Sequence, residues 1–571
     1  MISKKFVLWI VCIGALLTTT MIGFSKADDI EKKYWIYFVD KGPIATDQLN
    51  KIVRQNLSQR AISRRIKRGT PGKSFDESDL PVYDKYIQQI KDEGIKIVRR
   101  SRWLNAISVI AGKSEIEKLS ALPFVKKTSP VGIYKREAND SEFKNSSIPK
   151  SNAKNFGLDY GPSLNQIQIC NIAPLHEEGL TGKDVLITLL DSGFFFDLHE
   201  SLQHLDILVE RDFINNDDIT HNEDGQDISS QHNHGTQVLS VIGGFLPQSL
   251  IGPAYGATYA LAKTEYIPTE TRTEEDNWVA AVEWADSLGT DIISTSLGYL
   301  VFDDGFSYPY SALDGRTMVA SIAASTAVTK GIIIVVSAGN EGLVSEWPYV
   351  WSPADGIGVV TVGGVNSDGS RYSRSSIGPT ADNRIKPDVM AKGTRVTAVD
   401  PGHNQRIGTV TGTSFSAPLV AGICALILER HPELNPSDML TALTSTASQS
   451  SSPDNFMGYG IANALDAVNY FGPASTGGSN VIPDGFSLHP PRTNFASNYT
   501  RFLVDMTETE PVTITIYNIR GQKVDSIQQS IEAGTQRSVL WNWPQNVSGG
   551  IYFAHFQSPT KEGVVKTIIV R

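Results

Sequence analysis

The sequence predicts an α/β protein: a mostly parallel sheet with helices on both faces, a small α+β unit ahead of it and a small all-β sandwich behind it. Three observations carry that prediction. Between residues 158 and 471, short runs that are apolar throughout alternate with helical patterns, as strands buried on both faces and joined by crossover helices require. Two polar stretches without periodicity, 141–157 and 472–483, cut the chain on either side of that region. Behind the second break, from 484 to 571, the pattern changes to short strands of alternating polarity. At 571 residues the chain is in any case too long for one core, since domains usually span roughly 100–200 residues.

The chain opens on a targeting signal over residues 1–27. Lys4 and Lys5 precede an apolar run at 6–17, and the small residues Ser25 and Ala27 fit cleavage after Ala27. That run is too short to anchor the protein, and no later stretch reads as a membrane span. Cys12 leaves with the signal, so the exported chain keeps Cys170 and Cys424. Three cysteines exclude a disulfide-stapled scaffold and a four-cysteine zinc site. Hydrophobic residues at 40% and charged residues at 20% mark an ordinary globular chain, and 48 Gly and 28 Pro without a period exclude a fibrous one.

The front unit, 28–140, reads as a strand at 34–39, a helix at 82–93, strands at 95–98 and 106–110, and a helix at 113–122. Charge is distributed unevenly. Residues 28–150 hold 25 basic and 16 acidic side chains (+9), residues 151–571 hold 23 and 45 (−22), and the signal adds three lysines, giving −10 in all. A basic front and an acidic remainder are expected to bind each other. The Arg-rich stretch 60–68 could face nucleic acid or an acidic membrane instead, but export argues against nucleic acid. In the middle unit, 185–190, 258–262, 292–293 and 332–336 read as buried strands and 278–288 as a helix between them. In the tail, 512–517, 538–541 and 551–556 read as strands.

In parallel sheets of this kind ligands bind beyond the carboxyl ends of the strands, and three polar turns of the middle unit fall at such ends or at helix starts. Asp191-Ser192-Gly193 follows the 185–190 strand directly; a carboxylate there is placed to orient an imidazole, although the tripeptide alone is usually a plain turn. His234-Gly235-Thr236 opens a helical run, with His232 nearby as a surface histidine. Gly412-Thr413-Ser414-Phe415-Ser416-Ala417-Pro418 leads into an apolar helix at 419–429. Serine at a helix start is usually an N-cap, but small neighbours let a second backbone approach, and the helix dipole favours a developing anion. Together the three say more. A serine needs a base to become a nucleophile at neutral pH, histidine is tuned for that task, and the histidine needs a buried carboxylate to fix its tautomer. Ser337-Ala338-Gly339-Asn340-Glu341-Gly342 follows another strand, and the Asn340 amide with the Ser414 backbone N–H would bind an oxyanion.

On these motifs residues 158–470 resemble the subtilisin-like serine endopeptidases (subtilases), whose triad runs in the order Asp, His, Ser. The resemblance implies a subtilisin-like fold in which Asp191 orients, His234 is general base and acid, Ser414 is nucleophile and Asn340 completes the oxyanion hole. Ser296-Leu297-Gly298 matches the family strand that pairs with substrate and edges the first specificity pocket, while 360–364 and 385–389 match as scaffold. Two positions depart from the family pattern: Gln237 stands where a second His is frequent, and Phe415-Ser416 where Met-Ala is more usual. The four reacting positions are intact. The competing class is a secreted pseudoprotease that binds without turnover.

Residues 28–140, with Ser101-Arg102-Trp103-Leu104-Asn105-Ala106, resemble the propeptide of secreted subtilases. The resemblance implies a ferredoxin-like fold that assists folding, blocks the cleft as an intramolecular inhibitor and is cut away through the 141–157 processing region. Residues 484–571 resemble the β-sandwich used for type IX secretion sorting by certain Gram-negative bacteria. The matching segments are 515–523, 548–553 and 566–571, and the early Pro-Asn-Pro motif is altered to His489-Pro490-Pro491. The implied partners are protein or peptide substrates and the secretion machinery, with neither nucleic acid nor stable membrane insertion. The implied location is the medium or the cell surface. Many subtilases bind structural Ca²⁺, and the acidic stretch 212–227 (Asp217, Asp218, Glu223, Asp224, Asp227) offers hard oxygen ligands. Its spacing matches no EF-hand loop, so it reads as a solvated acidic loop. No metal ligand is assigned, and the chemistry needs no cofactor. The aromatic stretch 300–316 lies beside the expected pocket, where it could gate substrates or simply pack.

Overall fold

A computed structural model describes residues 31–43, 49–131, 133–134, 143–144, 157–266, 273–299, 308–471, 486–488, 492–494, 499–544, 547, 550–559 and 562–569. The signal segment 1–27, nearly all of both linkers, residues 300–307 and His489-Pro490-Pro491 lie outside the described residues. The chain divides after Phe471 into two compact units.

In the first unit, the front segment forms β1 (Lys32–Phe38), α1 (Gln59–Arg68), α2 (Asp84–Asp92), β2 (Lys96–Ser101), β3 (Ala106–Ala111), α3 (Lys113–Ser120) and β4 (Val125–Pro130). Its sheet has the order β2-β3-β1-β4, antiparallel throughout, which is the ferredoxin-like arrangement. Strand alternation explains why β1 is apolar on both faces. Ile36 and Phe38 join Ile87, Ile90, Ile107 and Leu119 in the segment's own core, whereas Trp35 and Tyr37 pack with Trp103 against residues of the middle region. Residues 143–144, within the expected exposed linker, are not fully detached: Lys144 pairs with Thr409.

The middle region supplies β5 (Leu186–Asp191), β6 (Asp206–Asp212), α4 (Asn233–Gly243), β7 (Thr258–Lys263), α5 (Glu275–Leu288), β8 (Ile292–Thr295), α6 (Val319–Thr329), β9 (Ile333–Ser337), β10 (Val360–Val365), β11 (Val389–Lys392) and α7 (Ser416–Arg430). Seven strands form one sheet in the order β11-β10-β9-β8-β5-β7-β6, every pair parallel. Two cores cover its faces, one built around α4 and α7 and one around α5 and α6. By length and composition Thr413–Arg430 could span a membrane, contrary to the sequence reading, with a mean hydropathy of 1.3. It is 89% buried inside the fold, because α7 is the central helix packed on β8–β11.

The front segment seats on α5, α6 and the turns that follow them, and the expected charge opposition is concrete there. Asp286, at the end of α5, is buried and receives Arg64 Nη2 at 2.5 Å, Arg65 Nε at 3.1 Å and Arg102 Nη2 at 2.7 Å. Burial alone would raise its pKa, but the three guanidiniums outweigh that and hold the carboxyl down to about 2. Arg68 Nη1 reaches Asp291 at 2.8 Å, and Arg60 pairs with the same residue. The Glu283 carboxylate accepts the backbone N–H groups of Arg102 and Trp103 at 3.1 and 3.2 Å, and burial pushes its pKa up. Two turns are glycine because α1 lies against them. A methyl on Gly289 (φ +92°) would stand 2.6 Å from Ala61 N, and one on Gly331 (φ +86°) 2.9 Å from Arg68 C. The Arg-rich stretch 60–68 is therefore a docked helix, N-capped by Ser58, and not a surface for nucleic acid or membrane.

The second unit contains β12 (Phe486–Leu488), β13 (Arg492–Asn494), β14 (Tyr499–Met506), β15 (Glu510–Asn518), β16 (Lys523–Ile531), β17 (Gly534–Asn542), β18 (Gly550–Gln557) and β19 (Glu562–Ile569). Two four-stranded sheets, with β14 central to one and β16-β15-β18-β19 forming the other, enclose Phe502, Val504, Ile514, Ile516, Trp541 and Phe556. This is the expected all-β sandwich, with five strands beyond the three read from the sequence.

Candidate active site

Asp191 is the last residue of β5, and β5 pairs with β8 on one side and β7 on the other. From there the chain winds both ways, out to β6 and back across to β11, so the site lies at the switch point that such sheets use for ligands. His234 sits in the first turn of α4, directly over that strand end. Its approach depends on two glycines. A methyl on Gly235 would stand 2.1 Å from Gly193 O, and Gly193, at φ +140°, would carry one 2.6 Å from Thr220 O. The Asp191–Gly193 turn and the start of α4 therefore pack backbone to backbone, which lets the two side chains meet.

His234 Nδ1 lies 2.7 Å from Asp191 Oδ1 and 3.0 Å from Oδ2, and both residues are buried. Asp191 Oδ1 also accepts Ser192 N–H at 2.7 Å and Ser192 Oγ at 3.1 Å. A carboxylate only accepts, so Nδ1 carries the proton and Nε2 is the basic atom of the ring. Gln231 holds the turn from behind, its Nε2 donating to Ser192 O at 2.7 Å and Glu265 O at 2.5 Å.

Ser414 lies in a single 3₁₀ turn, Thr413–Phe415, that feeds into α7. The turn starts at Gly412 with φ +149°, a backbone value that favours glycine. Phe415, the neighbour that departs from the family pattern, sets its ring 5.4 Å from the His234 ring and so joins the serine turn to the base. Ser296 Oγ donates to Ser414 O at 2.8 Å, which ties the 296–298 segment to the same turn. Asn340 Oδ1 accepts Thr413 N–H at 3.0 Å. That bond fixes which end of the amide is the acceptor and leaves the NH₂ as its donor end. Leu297 is buried and Gly298 packs against Trp351. The structure thus brings Asp191, His234, Ser414, Asn340 and Ser296–Gly298 to one end of the sheet.

Sequence reasoning missed Thr413 and Gln231 as positioning residues. Only the adjacency of Thr413 to Ser414 hinted at the first, and nothing local hinted at the second. Two readings need correction. His232 is not a plain surface residue: its ring stacks on Phe195 with centroids 5.1 Å apart, and Nδ1 accepts Asn222 N–H at 3.0 Å. Burial pushes its pKa down to about 4. The acidic stretch 212–227 is not simply solvated either. Asp212 and Asp227 clasp the buried ammonium of Lys263 at 2.9 and 2.8 Å, so two carboxylates of the supposed loop already hold a cation from the protein itself. In the aromatic stretch, the Tyr310 ring lies tilted against Tyr349 with centroids 4.6 Å apart and Tyr308 packs on the α5–α6 core; Phe302 and Phe306 lie outside the described residues. Cys424 is buried, as a small hydrophobe in α7 should be.

Comparison with known proteins finds relatives for all three segments of the chain. Residues 182–460 match the subtilase family model, residues 33–150 a peptidase S8 propeptide domain of Bacteroidota, and residues 498–571 a secretion system C-terminal sorting domain. Subtilisin NAT of Bacillus subtilis subsp. natto is 28% identical over 361 residues, covering 63% of this chain and 79% of that protein. Subtilisin of Bacillus pumilus is 29% identical over 295 residues, covering 52% and 94%. Among solved structures, fervidolysin from Fervidobacterium pennivorans, a keratinolytic enzyme, shares the fold at a TM-score of 0.52 and 17% identity, covering 96% of this chain and 77% of that one. Family models thus cover the segments ahead of and behind the sheet as well as the sheet itself. The chain carries a subtilase-family peptidase domain over residues 182–460, with a Bacteroidota-type S8 propeptide domain in front and a secretion sorting domain behind.

Proposed function

We propose that the protein is a secreted serine endopeptidase, made as an autoprocessed zymogen, that hydrolyses peptide bonds of protein substrates through an acyl-enzyme. The single observation that carries this reading is the buried His234–Asp191 pair at 2.7 Å, set at the switch point beside the Ser414 turn. His234 Nε2 takes the proton from Ser414 Oγ as that oxygen attacks the peptide carbonyl. The carbonyl becomes an oxyanion, received by the Asn340 NH₂ and the Ser414 backbone N–H. The protonated imidazole, stabilised by Asp191, then passes its proton to the leaving amine and leaves an ester on Ser414. Water repeats the sequence in reverse and frees the acid. No cofactor enters any step.

The pseudoprotease alternative gains no support, since the carboxylate, base, nucleophile turn and amide are all present. Casein hydrolysis by the matured chain, absent in Ser414→Ala, is the expected outcome; equal hydrolysis by both would reject the reading. Asn340→Leu should lower kcat by about 10²–10³-fold with KM nearly unchanged, as losing one oxyanion donor typically does. Steady-state kinetics on a chromogenic peptide checks that split. The protein's place is the medium or the cell surface of a Bacteroidota bacterium, where the sorting domain delivers it.

A further inference from the structure

The segments 296–298 and 338–340 continue from β8 and β9, which are parallel neighbours. They therefore leave the sheet side by side at its carboxyl end. The slot between them opens beside Ser414, because Ser296 is tied to Ser414 O and Asn340 to Thr413. Trp351 stands in that slot. A methyl on Gly298 would fall 2.5 Å from Trp351 Cε3, and one on Gly339 would fall 3.0 Å from Trp351 Nε1, so the indole touches both walls. Its backbone is fixed by the next residue, Ser352, whose carbonyl accepts Tyr299 N–H at 2.8 Å. Glu341 Oε2 and Ser376 Oγ crowd the Gly339 side of the slot, 2.9 and 2.8 Å from the same methyl position. Trp351 is half-buried.

We propose that Trp351 fills the depth of the pocket that would receive the side chain preceding the scissile bond, so that the protein cleaves after small residues (Gly, Ala, Ser) and not after aromatic or long aliphatic ones. The inference rests on the proteolytic reading of the site and names its substrate class. An aromatic side chain needs the volume the indole already occupies, and neither glycine wall can retreat, since both belong to segments bonded to the serine turn. A packed site of this kind rejects oversize groups by steric overlap.

The test is a cleavage profile of the matured full chain on peptides that differ only at the residue before the scissile bond, run beside Trp351→Gly. Wild type should favour Ala over Phe by at least about 10–100-fold in kcat/KM, the range that burial or exclusion of one large apolar side chain produces. Trp351→Gly should raise the Phe-to-Ala ratio of kcat/KM by a similar factor. Wild type cleaving after Phe as fast as after Ala would overturn the proposal, with or without a variant that matures. An unchanged profile in a matured Trp351→Gly would overturn it as well. A fluorophosphonate probe separates the two levels. Labelling of Ser414 with the wrong profile rejects the pocket assignment alone, whereas no labelling and no cleavage reject the proteolytic reading and this inference with it.

Discussion

Replacing Ser414 with alanine is expected to lower turnover about 10⁶-fold and to leave the propeptide covalently attached. The size of the effect follows from the division of labour in the site. Asp191 holds His234 with the proton on Nδ1, but an oriented base has no work without the oxygen it deprotonates. What remains is the Asn340 amide and whatever binding the cleft supplies, worth roughly 10³–10⁴ over water in comparable sites. Maturation should fail for the same reason, since autoprocessing uses the same nucleophile. Gel analysis of purified wild type and Ser414→Ala after equal incubation reads both effects. A Ser414→Ala protein that matured and turned over at the wild-type rate would remove Ser414 from the mechanism.

Asp286→Ala is expected to loosen the propeptide by about 3–5 kcal/mol, the usual cost of leaving buried charges without their partner. Arg64 and Arg65 are buried and both converge on this one carboxylate, with Arg102 joining from the β2–β3 turn. By RT ln K that loss is about 10²–10⁴-fold in retention. The protein should mature less completely, because the template for α5 is weakened, yet mature enzyme that does form should keep its activity, since Asp286 lies far down α5 from the reacting groups. Size-exclusion chromatography after cleavage shows whether the propeptide stays bound. Retention equal to wild type would mean that the clamp contributes little.

The same interface gives a pH expectation. Asp286 is held down to about 2 in the complex, so its contribution is complete above the ordinary aspartate pKa near ~3.9 and is lost only as pH falls through about 2. Glu283 is pushed up by burial, so its contribution runs the other way, present at low pH and lost as pH rises through its raised value. Acidifying from pH 8 to 5 should therefore leave the cut propeptide bound as firmly or more firmly. Release at pH 5, seen on the same column, would contradict that.

The sheet and the residues proposed to react were legible in the sequence because each has a local signature. Strands such as Ile333–Ser337 are apolar throughout, and Asp191, His234 and Ser414 stand in short glycine-containing turns next to them. The helix Gln59–Arg68 was not legible. Its buried positions include Arg64, Arg65 and Arg68, and no periodicity of apolar residues marks a helix whose burial depends on Asp286 and Asp291, more than 200 residues downstream. The strand Lys523–Ile531 escaped for a similar reason: it is a sheet edge, polar at most positions, and among the described residues pairs only with Glu510–Asn518. Lys263 reads as a lone charge ending an apolar strand, and only the fold brings Asp212 and Asp227 to it. Trp351 belongs to no motif. Its meaning comes from two glycines, 53 and 12 residues before it in the chain, that the parallel pairing of two strands sets on either side of it.

The most direct measurement is fluorophosphonate labelling of the matured wild-type protein, mapped by mass spectrometry to the modified residue. Labelling confined to Ser414, and abolished by His234→Ala, is the predicted result. An unlabelled Ser414 in fully matured protein would contradict the assignment of this site as a working serine nucleophile.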